Sequence, residues 1–217
     1  MVCGDIIADI GSDHAYLPIW LYLNKKIKKA YAVDISEKCV KRIKANLKKY
    51  NIPENIITPV LSDGLAYFEN ENDIAGVTDV IIAGTGGKTI SGIIEDIKNP
   101  ANLNFILQPS SKSEFLRKFL YDNKFNIINE IIVVEGKWIY DIINAKFTGQ
   151  EYKPDPLDII AGKDITHAGY IDKIIRGLNN IIKDLDKKSC DKYNIKTEFG
   201  YYKDIENLIS KLELRKS

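Results

Sequence analysis

Histidine is almost missing from this chain: His14 and His167 are the two present in 217 residues, too few for a histidine-based metal centre or a hydrolytic triad. Cysteine is nearly as sparse. Cys3, Cys39 and Cys190 are odd in number and lack zinc-ligand spacing, so they read as unpaired thiols in a reducing compartment and no metal is expected. No apolar run approaches the ~20 residues of a bilayer span, and nothing at the N-terminus has the make-up of a signal peptide. A cytoplasmic chain with no membrane partner is the expectation. Charge of one sign is also lacking, since 31 basic and 30 acidic residues leave a net +1, which by itself names no partner. The length suits one α/β core plus an appendage, and the 45% hydrophobic content is that of a globular chain.

A further absence is more informative. Ile6, Ile7, Ala8 and Ile10 suit a buried parallel strand, Gly11 permits a tight turn, and a helix can follow from Leu17 to Leu23. This is the strand, loop and helix of a nucleotide site, yet the loop lacks the later glycines of G-x-G-x-x-G, through which a diphosphate rests on the helix N-terminus. Asp13 stands where the second glycine would be. A carboxylate there repels a diphosphate by several kcal/mol in a partly desolvated site and welcomes a cation, which favours S-adenosyl-L-methionine, with its sulfonium and no phosphate, over NAD. The plainer reading makes Asp13 a cap of the following helix.

Three more strands end in the same chemistry. Ala30 to Val33 leads to Asp34 and Ile35, roughly 20 residues after Gly11, the separation at which an acid takes ribose hydroxyls. Val60-Leu61-Ser62 leads to Asp63 and Gly64, an acid suited to an adenine amino group. Thr78 to Ile82 leads to Ala83, Gly84, Thr85, Gly86 and Gly87. Ligands of open α/β sheets bind at such carboxyl ends. Beyond them, a helix over Lys88 to Ile97, a fifth strand from Asn104 through Gln108 stopped by Pro109, a helix over Ser113 to Asn123, and a hairpin of Ile127 to Val134 with Trp138 to Phe147 are predicted. Five alternating units plus a hairpin make a seven-stranded sheet, with the sixth strand expected to be buried on both faces.

Gly149, Pro154 and Pro156 mark a linker, so residues 1–150 read as the cofactor-binding domain and 151–217 as a helical arm. Ile171, Ile174, Leu178, Ile181 and Leu185 follow 3-4-3-4 spacing, and Tyr201, Ile205, Leu208 and Leu212 answer with 4-3-4 around a turn over Lys187 to Lys196. A coiled-coil helical hairpin is expected, on a monomer open to weak self-association. Lys38, Lys41, Arg42, Lys44, Lys48 and Lys49 decorate one helix, either as a solvated face or as a nucleic-acid surface.

The segments DIGSDHAYLP (Asp9 to Pro18), IIAGTGG (Ile81 to Gly87) and LQPS (Leu107 to Ser110) resemble the TrmK family of bacterial tRNA adenine-N1 methyltransferases over nearly the whole chain. The resemblance implies an α/β class I (Rossmann-like) methyltransferase sheet followed by a coiled-coil arm. It also implies S-adenosyl-L-methionine as cofactor and methylation of N1 of the adenine at position 22 in the tRNA D-arm. By that resemblance Asp9, Gly11, Asp34, Asp63 and Gly64 line the cofactor pocket, joined here by Ile35, Ala83 and Gly84, and Asp13 lies near the transferred methyl group.

Adenine N1 carries an in-plane lone pair, so the reaction needs alignment and charge stabilisation rather than prior deprotonation. Asp13 is the candidate catalytic carboxylate. Gly86, Gly87, Gln108 and Pro109 leave room for a flat base, and Tyr16 and Tyr140 are stacking candidates weighed against core packing. Trp20 and Trp138 are expected in the core. Lys88, Lys112, Arg117 and Lys137 are expected to meet RNA phosphate. A degenerate module that binds cofactor or RNA without turnover is the competing class.

Overall fold

The computed structural model describes residues 1–68, 76–97, 100–186, 195–197, 200–202 and 205–216. Strands β1 (Ile6–Ile10), β2 (Lys29–Asp34), β3 (Ile57–Leu61), β4 (Asp79–Gly86), β5 (Asn104–Ser111), β6 (Phe125–Glu135) and β7 (Trp138–Phe147) pair in the order β3-β2-β1-β4-β5-β7-β6. The first five are mutually parallel, and β7 enters antiparallel between β5 and β6. Helices α1 (Tyr16–Leu23), α2 (Glu37–Lys49), α3 (Gly87–Glu95) and α4 (Ser113–Asp122) cover both faces. On one face Ile7, Ile81 and Ile106 meet Ile19, Leu21, Ile43 and Leu47 of α1 and α2. On the other, Ala8, Val80 and Phe105 meet Ile90, Ile94, Leu116 and Leu120 of α3 and α4. A strand buried on both sides has no polar face to alternate with, which is why these strands read as continuous apolar runs.

The N-terminal edge of the sheet is tied by Asp79, fully buried, whose carboxylate accepts from Cys3 N at 3.0 Å, Gly4 N at 2.9 Å and Asn104 Nδ2 at 2.6 Å. That leaves the opposite, carboxyl-end edge open for a ligand.

The structure corrects several expectations. The sixth strand is not buried on both faces, because it is the sheet's last strand and its hairpin overshoots the neighbour: β5 pairs with β7 at Ile143 to Lys146 alone, whereas β6 follows β7 out to Trp138. Ile128, Ile131 and Val134 are exposed as a result. Pro109 does not stop β5, which runs on to Ser111; the proline sits opposite Thr85, where the β4/β5 register shifts, so its missing N–H falls at an irregularity. Trp20 and Trp138 are exposed rather than core. Trp20 lies on the outward side of α1, and Trp138 starts the overshooting part of β7.

The C-terminal region contains α5 (Pro156–Ala161), α6 (Ala168–Asp186), a ribbon of β8 (Ile195–Thr197) with β9 (Gly200–Tyr202), and α7 (Ile205–Arg215). Helix α5 stands where the sequence suggests a linker; Asp155 caps it by accepting from Leu157 N at 2.8 Å, with Pro156 in the first turn. Ile171 and Ile175 of α6 and Leu208 and Leu212 of α7 bury against Leu157, Ile160 and Ala161 of α5, so the helical spacing serves a three-helix cluster. Tyr201 belongs to β9 instead of the last helix, which begins at Ile205. Most of the expected turn, residues 187–194 with Cys190, and the side chain of Leu185 lie outside the described residues.

Arg117 of α4 is fully buried. It donates to Glu130 Oε2 of β6 at 3.0 Å, Asp141 Oδ2 of β7 at 3.1 Å, the Ile160 carbonyl of α5 at 3.2 Å and the Tyr170 hydroxyl of α6 at 3.0 Å. It fastens the C-terminal helices to the sheet and has no access to RNA phosphate, contrary to the expectation.

Candidate active site

The carboxyl ends of β1 to β4 form one lip. Gly11, Ile35, Asp63, Ala83 and Gly84 are exposed there, the first three just past the ends of β1, β2 and β3 and the last two in the carboxyl-terminal half of β4. Ala83 and Gly84 follow four buried residues of β4, and Gly84 has φ +78° with open space where a Cβ would stand, so the backbone at this edge is bare. Gln108 Oε1 accepts from Gly84 N at 3.0 Å and its Nε2 donates to the Pro109 carbonyl at 3.1 Å, which fixes the bulged end of β4 against β5. Gly87 answers a closer need: a Cβ there would run into the Lys112 carbonyl, so glycine lets α3 start directly beneath β5.

The loop after β1 is wound tightly. Gly11 N and Ser12 N both donate to the Val33 carbonyl, at 2.9 and 3.0 Å. Asp13 (φ +48°) and Ala15 (φ +57°) then take left-handed conformations, costing roughly 1–2 kcal/mol each for a residue with a Cβ. This winding aims Asp13 N at Asp34 Oδ2, 3.1 Å away, while Asp34 Oδ1 accepts from Ser36 N at 2.9 Å. One buried carboxylate thereby ties the loops after β1 and β2. The helix-cap reading of Asp13 does not hold, because the N-cap of α1 is Ala15 and no side chain caps it.

The Asp13 carboxylate, half exposed, pairs with Arg42 of α2 and lies 3.5 Å from His14 Nε2. The sequence places Arg42 on a basic helix face, and a contact between residues so distant in sequence leaves no local signal. The His14 ring stacks on Tyr16 with centroids 5.1 Å apart, and Asn46 Nδ2 holds the His14 carbonyl at 2.9 Å. Lys38, Lys41, Lys44, Lys48 and Lys49 are exposed.

Asp9 lies beneath this loop, buried, with Ser12 Oγ donating to its Oδ2 at 2.5 Å. Burial raises its pKa from 3.8 to about 6, the Ser12 hydrogen bond working against the rise and the nearby Asp34 charge adding to it. Because the folded value exceeds the unfolded one, ionising Asp9 lowers stability as pH rises from about 4 to 6, by about 3 kcal/mol once complete. A cation placed beside it would relieve that cost.

The substrate candidates do not share one spot. Tyr16 is exposed beside Asp13, and Gly86, Gly87 and Gln108 lie where β4 and β5 end. Pro109 and Tyr140 line a separate cleft between β7 and α6 that none of the cofactor candidates enters. Among the described residues, no group of three or more His, Cys, Asp or Glu is arranged to hold a metal, and no helix is long and apolar enough to cross a membrane.

Residues 1–143 match the family model described as Methyltransferase domain. The fold superposes on M. capricolum TrmK, solved with S-adenosyl-homocysteine, with a TM-score of 0.74 and 30% identity over 97% of this chain and 90% of that one. The chain belongs to the methyltransferase-domain family, among its TrmK members. A Streptococcus pneumoniae protein solved with S-adenosyl-L-methionine is similar at 27% identity and a TM-score of 0.78, covering 99% of this chain and 93% of that one. The Bacillus subtilis (strain 168) tRNA (adenine(22)-N(1))-methyltransferase is 32% identical over 162 residues, 73% of this chain. That alignment spans 66% of the Bacillus relative's length, and another curated relative is matched over 60% of its length.

Proposed function

We propose that this chain transfers the methyl group of S-adenosyl-L-methionine to N1 of the adenine at position 22 in the D-arm of tRNA. The observation that carries the reading is the acidic, glycine-opened lip at the ends of β1 to β4, built on a fold that superposes on a TrmK holding the cofactor product. The donor set fits such a cofactor. Asp9, Asp34 and Asp63 offer carboxylates to a positively charged, hydroxyl-rich ligand, and the bare backbone of Ala83 and Gly84 leaves room for its body. Residues 1–150 form the methyltransferase unit in this reading, and 151–217 the arm that meets tRNA.

The cofactor supplies an electrophilic methyl on a sulfonium; the N1 lone pair attacks it and the C–S electrons return to sulfur. The chain's own residues bind and orient. Asp34 uses its remaining lone pairs on the ribose, and its hold on Asp13 N sets the loop. Gly11, Ile35, Asp63 and Gly64 would hold the cofactor, Gly11 by permitting close backbone approach and Asp63 as an acceptor for its adenine amino group. Asp13 faces the cationic methyladenine as charge develops, with Arg42 and His14 fixing its orientation. Tyr16 offers a flat surface to the incoming base, beside Gly86, Gly87 and Gln108.

The deciding assay incubates purified protein with methyl-labelled cofactor and unmodified tRNA, followed by digestion. N1-methyladenosine is expected, and it should vanish when position 22 is changed to guanosine. The pairing of Asp13 with Arg42 favours a second reading, a module that binds without turnover; cofactor bound with no product would select it. Asp13→Asn suits the left-handed position and removes the charge. Single-turnover methylation should slow by about a hundredfold, while calorimetry finds a much smaller loss of cofactor affinity.

A pH titration tests Asp9. Below about pH 6 its carboxyl is protonated and neutral, and above it the group is charged and attracts the cofactor's cationic end. Affinity at pH 5 should therefore be about tenfold weaker than at pH 7, and calorimetry in buffers of different ionisation enthalpy should register proton release near pH 6. Asp9→Asn should flatten both responses.

A further inference from the structure

The overshooting half of the β6–β7 hairpin encloses, with α6, a cleft of about 770 Å3, well within the range of ligand sites. Its walls are apolar and aromatic, with Trp138, Ile139 and Tyr140 on the hairpin side and Ile174, Leu178 and Ile181 on the helix side. Its rim is basic. Lys112 and Lys173 line it, and Lys137 Nζ stands 5.2 Å from the centre of the Trp138 ring. Of the two acids on its wall, Asp141 is committed to Arg117 and Tyr170, leaving Glu114. Trp138 is 60% exposed, on a stretch of strand that has left the sheet core, so packing gives no reason for an indole there.

We propose that this cleft binds an unstacked nucleotide of the RNA substrate next to the one that is methylated, its base against Trp138 and its phosphate toward Lys137 and Lys173. The inference rests on the RNA-methyltransferase reading and adds a site to it. Flat apolar surface beside ammonium groups is the chemistry of single-stranded nucleotide binding, in which bases stack on aromatic rings and lysines follow the backbone. An apolar peptide would use the walls but gain nothing from the lysines. Position supports the same occupant. Pro109 and Ser111 at the cleft floor pair with Thr85 and Gly86 of β4, directly after the bare Ala83–Gly84 backbone. β7 lies two strands, about 10 Å, from β4, and Trp138 stands further out at the same carboxyl-end edge, beyond Ile143, the last partner of β5, so a nucleotide flanking the target and splayed away from it reaches the cleft.

The chain has two tryptophans, so Trp20→Phe leaves Trp138 as the sole indole emitter. Titrating this variant with unmodified tRNA should quench its emission and shift it, while a fully paired RNA duplex of similar length should do so far less. Trp138→Ala should raise the KM for tRNA about tenfold, the order of one lost base stack, with the calorimetric affinity for S-adenosyl-L-methionine unchanged. Lys173→Glu, at an exposed position, should raise the same KM independently if the truncation proves unstable. Absence of quenching, or wild-type KM in both variants, overturns the proposal, as does a protein-concentration-dependent emission shift accompanied by dimers in sedimentation. Failure of the wild-type chain to methylate tRNA while Trp138 is still quenched would count against the methyltransferase reading and leave this site standing.

Discussion

Replacing Arg117 with methionine should destabilise the fold by about 3–5 kcal/mol, the usual effect of removing one partner from a buried ion pair. The guanidinium is fully buried and is the cation that answers both Glu130 and Asp141. Burial already pushes the Glu130 carboxyl above its ordinary range against the pull of Arg117, and without that cation the rise should be larger. Thermal melts should show a loss of about 10 °C for a chain of this size. The sign of the pH effect is a sharper test. A carboxyl whose folded pKa is raised costs stability as pH climbs through that range, so the gap between variant and wild type should narrow on acidification as Glu130 takes up a proton. Adding Glu130→Gln and Asp141→Asn to the methionine variant should recover much of the loss at neutral pH, since the large penalty belongs to the unpaired charges. A variant as stable as wild type would mean that water reaches this node.

Asp34→Ala should weaken cofactor binding by about a hundredfold or more. The carboxylate accepts two backbone N–H groups, from Asp13 and Ser36, and hydrogen bonds to a charged acceptor are worth about 1.5–3 kcal/mol each. Losing both frees the loop after β1 from its left-handed course and removes the ribose acceptor, so the penalty combines disorder in the free protein with a missing contact. Asp34→Asn keeps one carbonyl acceptor and should fall in between. Calorimetry with S-adenosyl-L-methionine measures the series, and wild-type affinity for the alanine variant would remove Asp34 from the binding site.

The parallel part of the fold was legible because its strands are buried on both faces and end in Gly or Asp at the loops. Gly11, Asp34, Asp63 and Gly84 do stand at one edge, since a sheet of this order aligns the ends of neighbouring strands. What sequence could not convey were contacts made across the fold. Arg42 looked like one more surface charge of α2 until the winding of the first loop brought Asp13 to it. Arg117 sits between Ser113 and Asp122 like any solvent-facing cation, and only the placement of β6, β7 and α6 encloses it. Trp138 and the β6 residues failed for the opposite reason. An apolar run reads as core whether or not a neighbouring strand stays paired far enough to cover it, and β5 parts from β7 after Leu107.

As the last strand of the sheet, β6 also has an outer border that is unpaired among the described residues. Exposed backbone donors and acceptors beside Ile131, Val133 and Val134 are a template for intermolecular strand addition. Two safeguards are built in: the irregularity between Ile127 and Asn129 interrupts the flat ladder, and Glu130 turns a charge inward that is tolerable only once Arg117 has docked. Chains caught before that docking carry the border without its second guard, so aggregation during refolding should originate at the hairpin rather than in the parallel strands.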